Sequence, residues 1–461
     1  MTLKKTNVAT IDMCNGPIVQ NVLVFAIPII IGNFMQILLS AVDMAVVGKF
    51  VGEDALAAVG ANISLIYLIF NLFVGLSIGA NIVTARYCGA QSEQDVEETV
   101  HCSMAICLLS GVFLAILGIA AARFFLELLD TPENIMDAAV TYLRVCALGF
   151  PFTLIFNFTR AIVNAEGDTK FPLYCLILAG TANVILNLIF VLIFHLDVFG
   201  VALATVFSNG LSAVLMTVRL CRGTTAVKLR IRRIRLVKSK ATDIIRIGLP
   251  AGLQGIAFSI SNVIVQDAVN SFGSIVIAGN TAVINIEGFL YQAMYGFYQA
   301  SGTFISQNCG ARKYGRIKKV LRVCLLWAFA AGFGLSIISI VFREGILGIY
   351  SGQEAVVAAG AIRILAVFPL YFLCGLNDVL SGAMRGMGYS TVPLVISLMG
   401  ACVLRIVWIL TVFKAHHTLV ILYVSYPVTW GLTFMAHFIA FHICYKNLHK
   451  KKVSKNLFFH E

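Results

Sequence analysis

Long apolar runs alternate with short polar stretches from one end of the chain to the other. The runs fall at roughly 18–47, 56–84, 97–121, 135–160, 170–194, 198–220, 246–270, 275–305, 319–342, 355–382, 391–413 and 418–445. Each is longer than the 18 or so residues that carry a helix across about 30 Å of hydrocarbon. The pattern predicts an all-α membrane protein with twelve transmembrane helices. The first run is too long for the core of a signal peptide, so the first helix is expected to stay in place.

Composition agrees with the pattern. The chain has 461 residues, of which 59% are hydrophobic and 12% charged. Soluble domains carry about 25% charged residues. Its mean hydropathy is +0.90. The net charge of +12 would suggest nucleic acid in a soluble protein. Here it has a different reading, because the basic residues sort by loop. With the N-terminus cytoplasmic, the outer loops receive only Lys49, Arg123, Arg343 and Lys414. Nearly all other Lys and Arg fall inside, the bias that orients membrane helices. Both termini are then cytoplasmic, in a multi-pass plasma-membrane protein of bacterial style. The 12 cysteines are scattered, with no CxxC pair, and read as reduced core packing.

The chain repeats itself. "GLSIGANIVTARYCGAQ" from Gly75 matches "GFYQASGTFISQNCGAR" from Gly296. "RAIVNAEGDTKFP" from Arg160 matches "SGAMRGMGYSTVP" from Ser381, at the same offset. Pro28 aligns with Pro250, and Pro151 with Pro369. The expected organisation is an N-lobe of six helices at 1–221, a basic cytoplasmic linker at 222–243, a C-lobe of six helices at 244–445 and a basic tail at 446–461. Such parallel repeats place a substrate path at the interface between halves. The linker reads as solvated and close to anionic headgroups. Nothing in it resembles a nucleic-acid motif.

Ionisable side chains inside the apolar runs are the candidate chemistry, because burying them in a bilayer is costly. Asp43 lies deep in the first run. Asn183 and Asn187 sit one turn apart on the fifth helix and share a face. Thr205 lies on the sixth. One carboxylate, two amide oxygens and a hydroxyl form an oxygen set suited to a hard cation such as Na⁺. The same set could hold a protonatable carboxyl. In the second half, Glu287 falls near the middle of the eighth helix, with Tyr291, Tyr295 and Tyr298 following as an aromatic stripe. A midplane acid beside aromatic rings suits a cation. Asp378 and Asp267 are further candidate cavity acids, on the tenth and seventh helices. Arg144 and Arg363 are expected to be structural, pairing with helix-end carbonyls or an acid.

The ordered set of Pro28, Gln36, Asp43 and Gly48, "VGEDALAAVGA", "EGDTKFP", "NVILN", "GVALAT" and "NIEGF" resembles the multidrug and toxic compound extrusion family. The resemblance covers nearly the whole chain. It implies two six-helix lobes around a central cavity, and export of organic, often cationic aromatic compounds in exchange for H⁺ or Na⁺. It places Asp43, Asn183, Asn187 and Thr205 at the N-lobe cation site and Gln36 at a cavity wall. Many relatives carry Asp where this chain has Asn187, so the site here has one carboxylate. No cofactor is expected beyond the coupling ion, and the partners are small organic molecules and the bilayer, with the protein a monomer. A membrane enzyme lacks support, since no HExxH, GxSxG or phosphate loop is present. A flippase for a lipid-linked or amphiphilic metabolite is the alternative reading.

Overall fold

The computed structural model describes residues 11–223 and 225–453. Among them every regular element is helical. This is the expected outcome in hydrocarbon, where a helix satisfies each backbone N–H and C=O within its own segment. The first half contains α1 (Ile18–Phe50), α2 (Glu53–Ala90), α3 (Glu93–Ala120), α4 (Glu133–Glu166), α5 (Lys170–Ile193) and α6 (Asp197–Cys221). The second contains α7 (Lys238–Asn270), α8 (Ser274–Gly310), α9 (Tyr314–Val341), α10 (Glu354–Gly386), α11 (Thr391–Phe413) and α12 (Leu419–Val453). Eleven of the described helices are each long and apolar enough to cross a membrane, and α10 makes the twelfth as a pair bent by 44°. The bend follows Pro369, which has no N–H to donate and lies in a single 3-10 turn, Phe368–Leu370, just before the break at Tyr371.

Most helices run past their apolar stretch. α7 starts at Lys238, two turns before the apolar residues begin. Hydropathy reports only the length in hydrocarbon, so polar helix ends beyond it are invisible to it. The duplication reaches details that the residue matches did not include. Short helices, Ala122–Leu128 and Arg343–Gly348, follow α3 and α9. A π-helical turn ends both α5 (Ile189–Ile193) and α11 (Ile409–Phe413).

The chain divides into two compact units, Met1–Asp12 with Ile31–Gly252, and Met13–Ile30 with Leu253–Glu461. They differ from the sequence halves in their first helices. Two of the three division points lie inside a helix, one two residues after Pro28 in α1 and the other two after Pro250 in α7. In the first unit α4 is central and packs on α2, α3 and α6. There Leu143, Leu154 and Phe158 are fully buried. The first half of α7 meets α2 backbone to backbone. A Cβ on Gly252 would lie 2.6 Å from the Leu72 carbonyl oxygen, and one on Gly75 would lie 2.6 Å from that of Gly248. Only glycine permits this approach. In the second unit α8 is central, against α9 and both parts of α10. The stretch Met13–Ile30 is held there by Asn308, which donates to the Met13 carbonyl at 3.1 Å, and by a Phe25–Phe304 ring contact.

The basic linker is only partly solvated. Val227 and Leu229 are 4% and 2% exposed, packed beside Val96, Val100 and Leu220. The alternation of these two with Lys228 and Arg230 turns one face inward and the other outward.

Candidate functional site

In the first unit the structure brings Asp43, Asn183 and Asn187 together. Asn187 is fully buried, and its Nδ2 donates to Asp43 Oδ1 at 2.6 Å. The hydrogen-bond network also sets the Asn183 amide. With its nitrogen toward the carboxylate it donates to Asp43 Oδ1 at 2.7 Å, and its oxygen accepts from Ser208 Oγ at 3.3 Å. Ser208, on α6, is 6% exposed. Asn183 and Asn187 face α1 because they stand one turn apart on α5, and the π-turn begins two residues later. Such turns mark functional sites often enough to be a pointer.

Thr205 lies beside the cluster without touching the carboxylate. Its hydroxyl donates to the Val201 carbonyl at 3.1 Å, and its own carbonyl accepts from Ser208. Gln36, two turns before Asp43 on α1, is exposed. The chemistry of the cluster follows from its atoms. A half-buried carboxylate accepts from two amide N–H groups, which suit its negative charge. Asn187 Oδ1 is buried with no partner. A buried carbonyl oxygen without a donor is costly. Turning that amide would offer the oxygen to a carboxylic acid proton or to a bound cation.

The second unit gathers a different set. Glu287 is met by Arg363, whose Nε and Nη2 donate to its two carboxylate oxygens at 2.8 Å each. Arg363 is 2% exposed. It also donates to Asn280 and lies over the Tyr423 and Tyr426 rings. The charge of Glu287 is thus already balanced within the protein. Arg144 finds a helix-end carbonyl, that of Ile119 on α3, at 3.3 Å.

The tyrosine stripe is intact. Tyr291 and Tyr295 have ring centroids 5.9 Å apart, and Tyr295 and Tyr298 5.1 Å. Asp378 stands beside Tyr291 and is the acid that the stripe meets. Tyr298 accepts at 2.6 Å from buried Arg385, whose other arm donates to Gln254 at 2.6 Å. Asp267 is exposed and stands outside this set.

Sequence reasoning missed Ser208, Arg385, Gln254 and the buried His437, whose Nδ1 lies 3.1 Å from Asn377 Oδ1. Arg385 carried a signal, as a basic residue within the last apolar turn of its helix. Ser208 carried none, since a serine in a membrane helix commonly bonds its own backbone.

The comparisons follow from this architecture. The family model described as MatE matches residues 28–189 and again 250–411. The probable multidrug resistance protein YoeA of Bacillus subtilis is 28% identical over 382 residues, which span 81% of this chain and 82% of that protein. The multidrug export protein MepA of Staphylococcus saprophyticus is 22% identical over 370 residues, 79% of this chain and 80% of that protein. A solved structure, the outward-facing conformation of a multidrug resistance MATE family transporter of the MOP superfamily, aligns with a TM-score of 0.90. It covers 97% of this chain and 100% of its own at 19% identity, a likeness of fold. One copy of the family model on each half, together spanning most of the sequence, shows that this chain belongs to the MatE family and is a membrane transporter, not an enzyme.

Proposed function

We propose that the protein is an antiporter that exports organic, often cationic aromatic compounds across the plasma membrane in exchange for H⁺ or Na⁺, by alternating access. Two curated relatives named for multidrug resistance and multidrug export support the substrate class. The observation that carries the coupling is Asp43, a carboxylate inside a membrane helix, with Asn187 fully buried against it.

Asp43 is the coupling group in this reading. It holds either a proton or Na⁺, and loses it when the site opens to the other side. Asn183 and Asn187 hold the free carboxylate by their N–H groups. On loading, the Asn187 amide turns and its unpartnered oxygen accepts a hydrogen bond from the protonated Asp43 carboxyl or joins the ion's oxygen shell. One membrane potential step is large enough to drive this, since a unit charge crossing about 100 mV gains about 2.3 kcal/mol. On the substrate side, Asp378 with Tyr291, Tyr295 and Tyr298 forms the anionic, aromatic surface that suits a flat cation. The protein works as a monomer.

Drug uptake into everted vesicles, driven separately by ΔpH and by ΔpNa, tests the reading. Uptake with one gradient and not the other names the ion. Uptake with neither removes cation coupling.

A further inference from the structure

A cavity of about 420 Å³ opens in the first unit where the linker lies along the start of α3. Glu97, Glu98, His101, Arg232, Arg233 and Arg235 line it. α3 is a candidate membrane span, so its first turns stand at the level of lipid headgroups. The linker is pinned there by groups that do not use up its charge. Arg233 pairs with Glu97 at 2.9 Å, Arg230 with Glu97 at 3.6 Å, and Arg235 with Glu98 at 3.9 Å. The backbone N–H of Arg230 donates to His101 Nε2 at 2.9 Å. Three arginines thus meet two glutamates, and a fourth, Arg232, makes no hydrogen bond or ion pair among the described residues. Arg233 and Arg235 keep 59% and 71% of their side chains exposed. On the same segment Ile231 and Leu236 are 65% and 54% exposed. Large apolar residues set among arginines suit the boundary between headgroups and acyl chains.

We propose that this cavity seats the phosphate of an anionic phospholipid from the adjoining leaflet. Arg232 and Arg235 hold the phosphate oxygens, and Ile231 and Leu236 enter the acyl boundary. Planar guanidinium groups fit phosphate oxygens two at a time. The surplus positive charge selects an anionic over a zwitterionic lipid. The site lies on the linker, apart from the Asp43 cluster, and its occupancy would fix the linker against α3 during transport.

The test titrates the purified full-length protein with phosphatidylglycerol or phosphatidylcholine and counts bound lipids by native mass spectrometry. The wild type retains phosphatidylglycerol in preference. Arg232→Gln with Arg235→Gln loses that preference by about fivefold for each arginine removed. Arg232→Lys retains most of it, which separates charge from folding. The control Lys319→Gln with Arg322→Gln, both exposed on α9, leaves the preference unchanged. Equal binding of the two lipids by the wild type overturns the proposal, and so does an equal loss in the control. Full displacement of the lipid by inorganic phosphate would make it a site for a soluble anion and overturns the lipid assignment.

Discussion

At the scale of single residues, depth was legible in the sequence and direction was not. Asp43, Asn183 and Asn187 stood out because polar groups in apolar helices are rare, and their spacing gave them a common face. The pairing of Glu287 with Arg363 spans 76 positions, and nothing local announces which way two helices turn. The pair has a consequence for stability. Removing one partner of a buried ion pair leaves the other charge uncompensated, at a cost of about 3–5 kcal/mol. Glu287→Gln is therefore expected to lower the thermal unfolding midpoint sharply, and Glu287→Gln with Arg363→Met to recover most of the loss. An unchanged midpoint with weakened drug binding would return the carboxylate to the substrate. Asp168 explains the "EGDTKFP" stretch in similar terms. Its Oδ1 accepts from the Phe171 N–H at 3.1 Å, and its Oδ2 pairs with Arg219 at 3.2 Å. Asp168→Ala should cost about 1–2 kcal/mol, the scale of a lost helix cap. Calorimetry on the purified variant would show it, and a wild-type midpoint would mean that another group caps α5.

At the scale of elements, length and apolarity identified all twelve spans, while their ends and internal breaks escaped. The π-turns of α5 and α11 come from packing, and no residue type marks them. The prolines show the same limit. Pro151 is absorbed within the continuous helix α4, whereas its counterpart Pro369 bends α10. Glycines are more readable once their neighbours are known. Gly75 and Gly79 on α2 lie one turn apart, as do Gly248 and Gly252 on α7, and the two pairs face each other. Small residues at this spacing let membrane helices approach closely. Gly252→Ala is expected to push the α2 and α7 backbones apart and to cost about 1–3 kcal/mol, as overpacking does. The readout is the fraction of monodisperse protein after heating. Wild-type heat resistance would show that the contact can relax. The linker adds one more lesson, because its charge was plain while the burial of Val227 and Leu229 depended on the strand-like alternation of a few residues.

At the scale of the whole molecule, the duplication was the strongest signal, and it is what the family model detects twice. The repeat predicted equivalent helices, yet the chemistry is not equivalent. The first unit presents one carboxylate held by amides. The second presents a balanced Glu287–Arg363 pair and a second acid, Asp378, against tyrosines. This asymmetry divides the labour in the proposed cycle, with the ion on the first unit and the organic cation on the second. Asp43 is then indispensable for exchange and dispensable for folding, since Asn at the same position keeps the size and the polar contacts to Asn183 and Asn187. The decisive measurement is gradient-driven export by Asp43→Asn in everted vesicles, beside drug binding to the same purified variant. The account predicts binding near the wild-type level and no uptake with either ΔpH or ΔpNa. Uptake at the wild-type rate would contradict it.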